Sequence, residues 1–168
     1  MAKAGGYATL AVVSNRVLVR RRGLARGFDV SDFAPDTREA THTTDAAIRH
    51  LKKLARDQSI FAWIHYIDPH VAYSPPPELA EQFDPTYEGR YRLHFGTLQG
   101  GPGDFANPID LPKVEAVFQN TLPAEVNAHI RRLYPADVRH ADDQIARLVR
   151  CLGLAGGRDA DEIGRAHV

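Results

Sequence analysis

Residues 60–66 read Ile-Phe-Ala-Trp-Ile-His-Tyr, an unbroken apolar stretch of strand length set between Asp57-Gln58 and Asp68-Pro69. A strand that is apolar without alternation belongs in a parallel sheet with both faces covered. The run therefore predicts a central parallel strand and, with it, an α/β fold. A second run, 7–14, carries Leu10, Ala11, Val12 and Val13 behind Gly5-Gly6 and predicts another buried strand. Between the two, Thr43 or Thr44 is placed to cap a helix. Its buried stripe would run through Ala47, Ile48, Leu51, Leu54 and Ala55, ending near Asp57.

The remaining stretches are read from their breakers. Residues 16–36 hold Arg20-Arg21-Arg22 with Gly23 and Gly27 and predict a solvated surface connection. Residues 71–113, with Pro75-Pro76-Pro77 and Gly100-Gly101-Pro102-Gly103, have no sustained period and predict a long loop. Farther on, Val126, Ile130, Leu133, Val138, Ala141, Ile145, Leu148 and Leu152 recur at helical spacing. Pro135 should divide that region into two helices, and Gly153, Gly156 and Gly157 should stop the second. Strand, helix, strand, loop and helix in this order suit a layered α/β domain.

Composition narrows function mainly by exclusion. The 21 basic and 21 acidic residues balance, so no global field draws the chain to nucleic acid. No stretch of about 18 apolar residues is present to span a bilayer, and the first residues lack the apolar core of a secretion signal. A single cysteine, Cys151, rules out an internal disulfide or a multi-cysteine zinc site and leaves the compartment open. By its position on the last helix it reads as a small buried hydrophobe. His65, Asp68 and His70 are metal-ligating residue types, but His65 lies within a strand and Pro69 restricts the backbone, so structural roles are expected. Asp142 and Asp143 are neighbours on a helix and point to different sides, which disfavours a shared acid/base pair.

The segment Phe61-Ala-Trp-Ile-His-Tyr-Ile-Asp-Pro-His-Val-Ala-Tyr-Ser-Pro-Pro resembles a sulfatase element in which a buried strand runs into Asp-Pro-His, an aromatic residue and a proline pair. Three other segments resemble the same family in the same order. They are Gly6-Tyr-Ala-Thr leading to Val12-Val-Ser-Asn, Gly23-Leu-Ala-Arg-Gly-Phe-Asp, and Tyr134-Pro-Ala-Asp-Val-Arg-His-Ala-Asp-Asp-Gln-Ile-Ala-Arg-Leu-Val. The resemblance implies part of an alkaline phosphatase-like three-layer α/β/α sandwich with a mainly parallel sheet, spanning residues 1–161. It also implies that His70 sits at the active site and hydrogen-bonds a sulfate ester, where imidazole can stabilise charge on the leaving oxygen. Asn15 and Arg16, standing where arylsulfatases carry a Lys-Trp-His triplet, are weaker candidates for substrate contact. The implied partner is a small-molecule or polysaccharide sulfate ester.

Sulfatases use a formylglycine made within a Cys/Ser-x-Pro-x-Arg element and a calcium ion held by paired aspartates. The sequence contains neither environment: Cys151 is followed by Leu-Gly-Leu-Ala, and Ser74 has Glu78 where the arginine should stand. The resemblance therefore describes an internal fragment, inactive alone, of a larger enzyme that supplies both. Residues 162–168, Glu-Ile-Gly-Arg-Ala-His-Val, can be encoded by a string that reads through a common sequencing adapter, and are expected to be foreign. Two alternatives stay open: a phosphate or phosphonate ester hydrolase or transferase of the same superfamily, and a non-catalytic binding or structural domain.

Overall fold

The computed structural model describes residues 5–15, 18, 23–34, 38–54, 59–70, 73–86 and 124–153. Among these residues, three parallel strands form one sheet in the order β2-β1-β3: β1 is Ala8–Val13, β2 is Val30–Phe33 and β3 is Ile60–His65. Three helices accompany them: α1 is Ala40–Leu51, α2 is Pro77–Phe83 and α3 is Ala124–Cys151. The α/β class expected from the two apolar runs is present. The central place among these strands, however, belongs to β1, all six of whose residues are buried. β3 lies at an edge of the described sheet, and its first half is exposed, with Phe61 47% accessible.

The core lies on the face of the sheet that carries Leu10 and Val12. These side chains pack against Ala46 and Ala47 of α1 and Leu148 of α3, with Val30, Ile48, Leu51, Leu54 and Ile64 around them. Alternate residues of a strand share a face, so the register Leu10↔Ala62 and Val12↔Ile64 puts Ile64 beside this cluster. On the opposite face, Phe28 stacks on both Phe61 and Trp63 with ring centroids 6.1 Å apart.

Within the stretch expected to be a surface connection, 30–33 instead forms β2, pairing with β1 from Leu10↔Val30 to Val13↔Phe33. A polar clasp fixes its start. Thr9 donates its backbone N–H (3.0 Å) and its hydroxyl (2.9 Å) to Asp29 Oδ2, while the Asp29 N–H donates to Thr9 Oγ1 at 2.8 Å. The turn before it needs a left-handed residue, and Gly27 supplies one at φ 90°. Asp32 then ties β2 to α1 by accepting from Arg38 at 2.6 Å and lying 2.9 Å from His50 Nε2.

α1 begins earlier than expected, with Glu39 and not a threonine at its N-cap. Thr43 and Thr44 are fully buried stitches. The Thr43 hydroxyl donates to the Glu39 carbonyl (2.9 Å) and pairs with Ser14 Oγ at 2.5 Å, while Thr44 pairs with the Tyr66 hydroxyl at 2.8 Å. The helix ends at Leu51, and the predicted stripe residue Ala55 and end near Asp57 lie outside the described residues. Residues 77–83, inside the expected loop, form α2, with proline in its first turn where a missing N–H costs nothing.

α3 is one continuous helix of 28 residues through Pro135, where two helices were expected. An interior proline costs about 3 kcal/mol. Burial on both sides of it offsets that cost, through Ile130, Leu133 and Ala136 around the proline and Ala141 and Leu148 beyond it. The helix stops where Gly153 turns left-handed at φ 71°, as the glycines predict. Cys151, expected inside, is exposed, as is Leu152 at 40%. No helix among the described residues is long and apolar enough to cross a membrane.

Candidate functional site

The carboxyl ends of the strands meet at one edge of the sheet, because all three run parallel and Val13 of β1 pairs with His65 of β3. Open parallel sheets bind ligands at such edges. Two predicted site residues leave the sheet there. Asn15 follows β1, is half-buried, and accepts the Leu18 N–H on its backbone carbonyl at 3.0 Å. His70 follows β3 and is exposed. Its backbone N–H donates to the Ile67 carbonyl at 2.8 Å, closing a turn around Asp68-Pro69. Arg16 lies outside the described residues.

That turn is anchored at both ends. Before it, the half-buried Tyr66 phenol bonds Thr44 of α1. Burial holds this phenol above its usual range, with Thr44 and Arg147 opposing. Beyond it, Tyr73 meets Tyr134 of α3 edge-on, with centroids 5.3 Å apart. Asp68 is buried within the turn, and Asp137 of α3 is buried completely. Burial raises the Asp68 carboxyl, while its own and the Ala40 backbone N–H and His140 pull it down. Burial also drives Asp137 up to about 7, with the neighbouring Asp68 charge adding to it and the Ser74 N–H opposing.

The Asp68–Asp137 arrangement is a part of the site that pattern reading missed, though its signal was present. Ile130, Leu133, Asp137 and Ala141 are spaced by three and four, so Asp137 occupies the buried stripe. The expected stripe residue at this turn, Val138, is 39% exposed. Of the neighbouring carboxylates on α3, Asp143 accepts from Arg139 at 2.9 Å in an exposed ion pair, a structural role as expected. His65 is a neutral strand residue. Burial lowers its pKa, Nδ1 is enclosed with no hydrogen-bond partner among the described residues, and Trp63 packs edge-on at 6.4 Å.

A second buried cluster joins α2 to α3. Asp84 is 2.8 Å from His129 Nδ1 and accepts from Arg132 Nη1, also at 2.8 Å. Burial alone would raise the Asp84 carboxyl, but His129 and Arg132 outweigh it and hold it below the usual range. Its stabilising contribution is therefore present above the ordinary carboxylate pKa and is lost as pH falls through the depressed one. Asp84→Ala is expected to cost about 1–3 kcal/mol in urea denaturation at pH 7, since it leaves the buried His129 nitrogen unpaired. A loss within about 0.5 kcal/mol, the scale of a surface change, would show that the cluster does not hold α2 to α3.

Among the described residues, no three His, Cys, Asp or Glu side chains converge on a possible metal position. Chemically, the edge offers one exposed imidazole and one amide side chain, and on α3 the buried Asp137 carboxyl is pushed up to about 7. Comparison with protein-family models and with curated proteins finds no match to this chain.

Proposed function

We propose that this chain is a segment of a sulfuric ester hydrolase whose whole catalytic domain is an alkaline phosphatase-like three-layer α/β/α sandwich. The observation that carries the reading is the place of Asp68-Pro69-His70, shortly after a parallel strand, with His70 exposed at the carboxyl edge of the sheet, where such sheets bind ligands. An imidazole there can donate to ester oxygens and stabilise charge as the leaving group departs. Asn15, leaving the adjacent strand at the same edge, and Arg16 just beyond it complete the proposed contacts. The substrate is a small-molecule or polysaccharide sulfate ester.

The residues described here fit neither a calcium cage nor a formylglycine site. No metal-competent group exists among them, and the sequence has no Cys/Ser-x-Pro-x-Arg element. In this reading both belong to other segments of the enzyme, and this chain's share of the chemistry is to bind and orient the ester. The purified 168-residue chain is accordingly expected to hydrolyse neither aryl sulfate nor aryl phosphate, for want of an activated nucleophile. The complete enzyme should cleave the sulfate ester in preference to the phosphate. Turnover by the isolated chain, or a complete enzyme that prefers the phosphate, would overturn the assignment.

A further inference from the structure

Ile60, Phe61 and Ala62 begin β3, and all of them are exposed although neighbouring residues of a strand point to opposite faces. Exposure on both faces at once belongs to an uncovered strand edge. The hydrogen bonds show which backbone groups lie along it. The Ala8 N–H donates to the Ser59 carbonyl at 2.9 Å, and Ala8 pairs with Ile60 in the parallel register. In such a ladder alternate residues turn both backbone groups toward the partner strand. Ser59, Phe61 and Trp63 therefore face β1, while Ile60, Ala62 and Ile64 turn their N–H and C=O groups outward, where no described residue bonds them.

Exposed edges are ordinarily guarded by charged side chains, proline or a bulge. Residues 60–65 contain no Asp, Glu, Lys, Arg or Pro, and the pairing with β1 runs unbroken from Ala8↔Ile60 to Val13↔His65. The strand is also complementary to itself, because Ile60-Phe61-Ala62-Trp63-Ile64 has the same order of side-chain types in both directions. Laid antiparallel on a second copy with Ala62 at the two-fold axis, Ile60 meets Ile64 of that copy, and Ala62 meets its counterpart, as hydrogen-bonded pairs. Phe61 then stands opposite Trp63 of the second copy at the closer, non-hydrogen-bonded positions, where aromatic pairs stabilise a sheet. Within one chain these rings already lie together, since Phe28 stacks on both at 6.1 Å.

We propose that the outer edge of β3 is a self-association site, at which two copies of this chain pair antiparallel about Ala62 and join their sheets into one. A second copy suits the edge because the strand offers no charge to hold a charged peptide and none to repel its own twin, and because the symmetric order of side chains matches itself. The joined edge is short. A strand of 6 residues spans about 20 Å and offers less than the roughly 800 Å² per partner of a stable interface, so the pairing is weak and depends on concentration. This property belongs to the chain itself and does not rest on the ester chemistry proposed above.

The test is sedimentation velocity of the full chain from about 1 μM to about 1 mM, the range of weak association, with amide exchange read across the same range. The expected result is a passage from monomer to dimer. Exchange at Ile60, Ala62 and Ile64 should slow by roughly tenfold at the upper end, while Phe61 and Trp63, bonded to β1, keep their rates. Ala62→Lys and Ala62→Glu each set like charges opposite one another at the axis and should each stay monomeric, and mixing the two should restore the dimer. A chain that is monomeric throughout would overturn the proposal, as would a dimer in which the Ala62 amide exchanges as fast as in the monomer, or a mixture of the two variants that does not associate. Outward amides already protected in the dilute monomer would also overturn it, by showing that another part of the same chain covers the edge. Because mass and exchange are read in the unsubstituted chain, they decide the matter even if a variant does not fold.

Discussion

His70→Ala, made in the complete ester hydrolase to which this segment is proposed to belong, is expected to lower turnover per folded molecule by roughly two to three orders of magnitude, the loss that follows removal of one charge-stabilising donor. The expectation rests on placement. His70 is exposed just past β3, and its backbone is pinned by the 2.8 Å hydrogen bond to Ile67. Removing an exposed imidazole from a turn that is anchored at Tyr66, Asp68 and Tyr73 leaves those anchors intact, so stability should change by no more than about 0.5 kcal/mol. A histidine that only supported the loop would give the opposite balance, with lower stability and near-normal activity in the molecules that remain folded. Activity divided by the folded fraction separates the two. Wild-type turnover in folded His70→Ala enzyme would remove His70 from the site.

His70, in the turn after β3, and Asp137, on α3, differ in how legible they are from sequence. His70 stands out because it ends a recognisable element, whereas Asp137 is hidden because the stripe at its turn reads through the apolar Val138 beside it. Hydrophobic periodicity locates a buried helix face only if every buried position is apolar, and here a buried acid interrupts the pattern. The same limit explains β2. Val-Ser-Asp-Phe lacks an apolar run, and its pairing depends on the Thr9 and Asp29 clasp, made by residues 20 positions apart. Pro135 misled for a related reason: a local breaker was given full weight, while the burial that overrides it comes from tertiary contacts no local pattern contains. What was legible, namely the strands of 8–13 and 60–65 and the stop at Gly153, depends on nearest neighbours alone.

Leu10→Ala is expected to destabilise the chain by about 3–4 kcal/mol, within the range measured for cavity-forming leucine truncations. Leu10 lies in the middle of the central described strand, hydrogen-bonded into the sheet on both sides, and is fully buried. The cost of such a cavity depends on whether neighbours can collapse into it. Here they are poorly able to do so. The residues across from Leu10 include Ala46 and Ala47, which have no length to extend, and Leu148, which is held by a helix tied to α1 through Arg147 and Asp45 at 2.5 Å. Of the flanking strand partners, Ala62 is equally short and Val30 is branched at Cβ. Leu152→Ala, at a 40% exposed position beyond α3, is the matched control and should stay within about 0.5 kcal/mol. Urea denaturation with unchanged m-value measures both. A Leu10→Ala loss under about 1 kcal/mol, well short of the leucine truncation range, would mean that the packing between β1, α1 and α3 is not the core that holds the sheet.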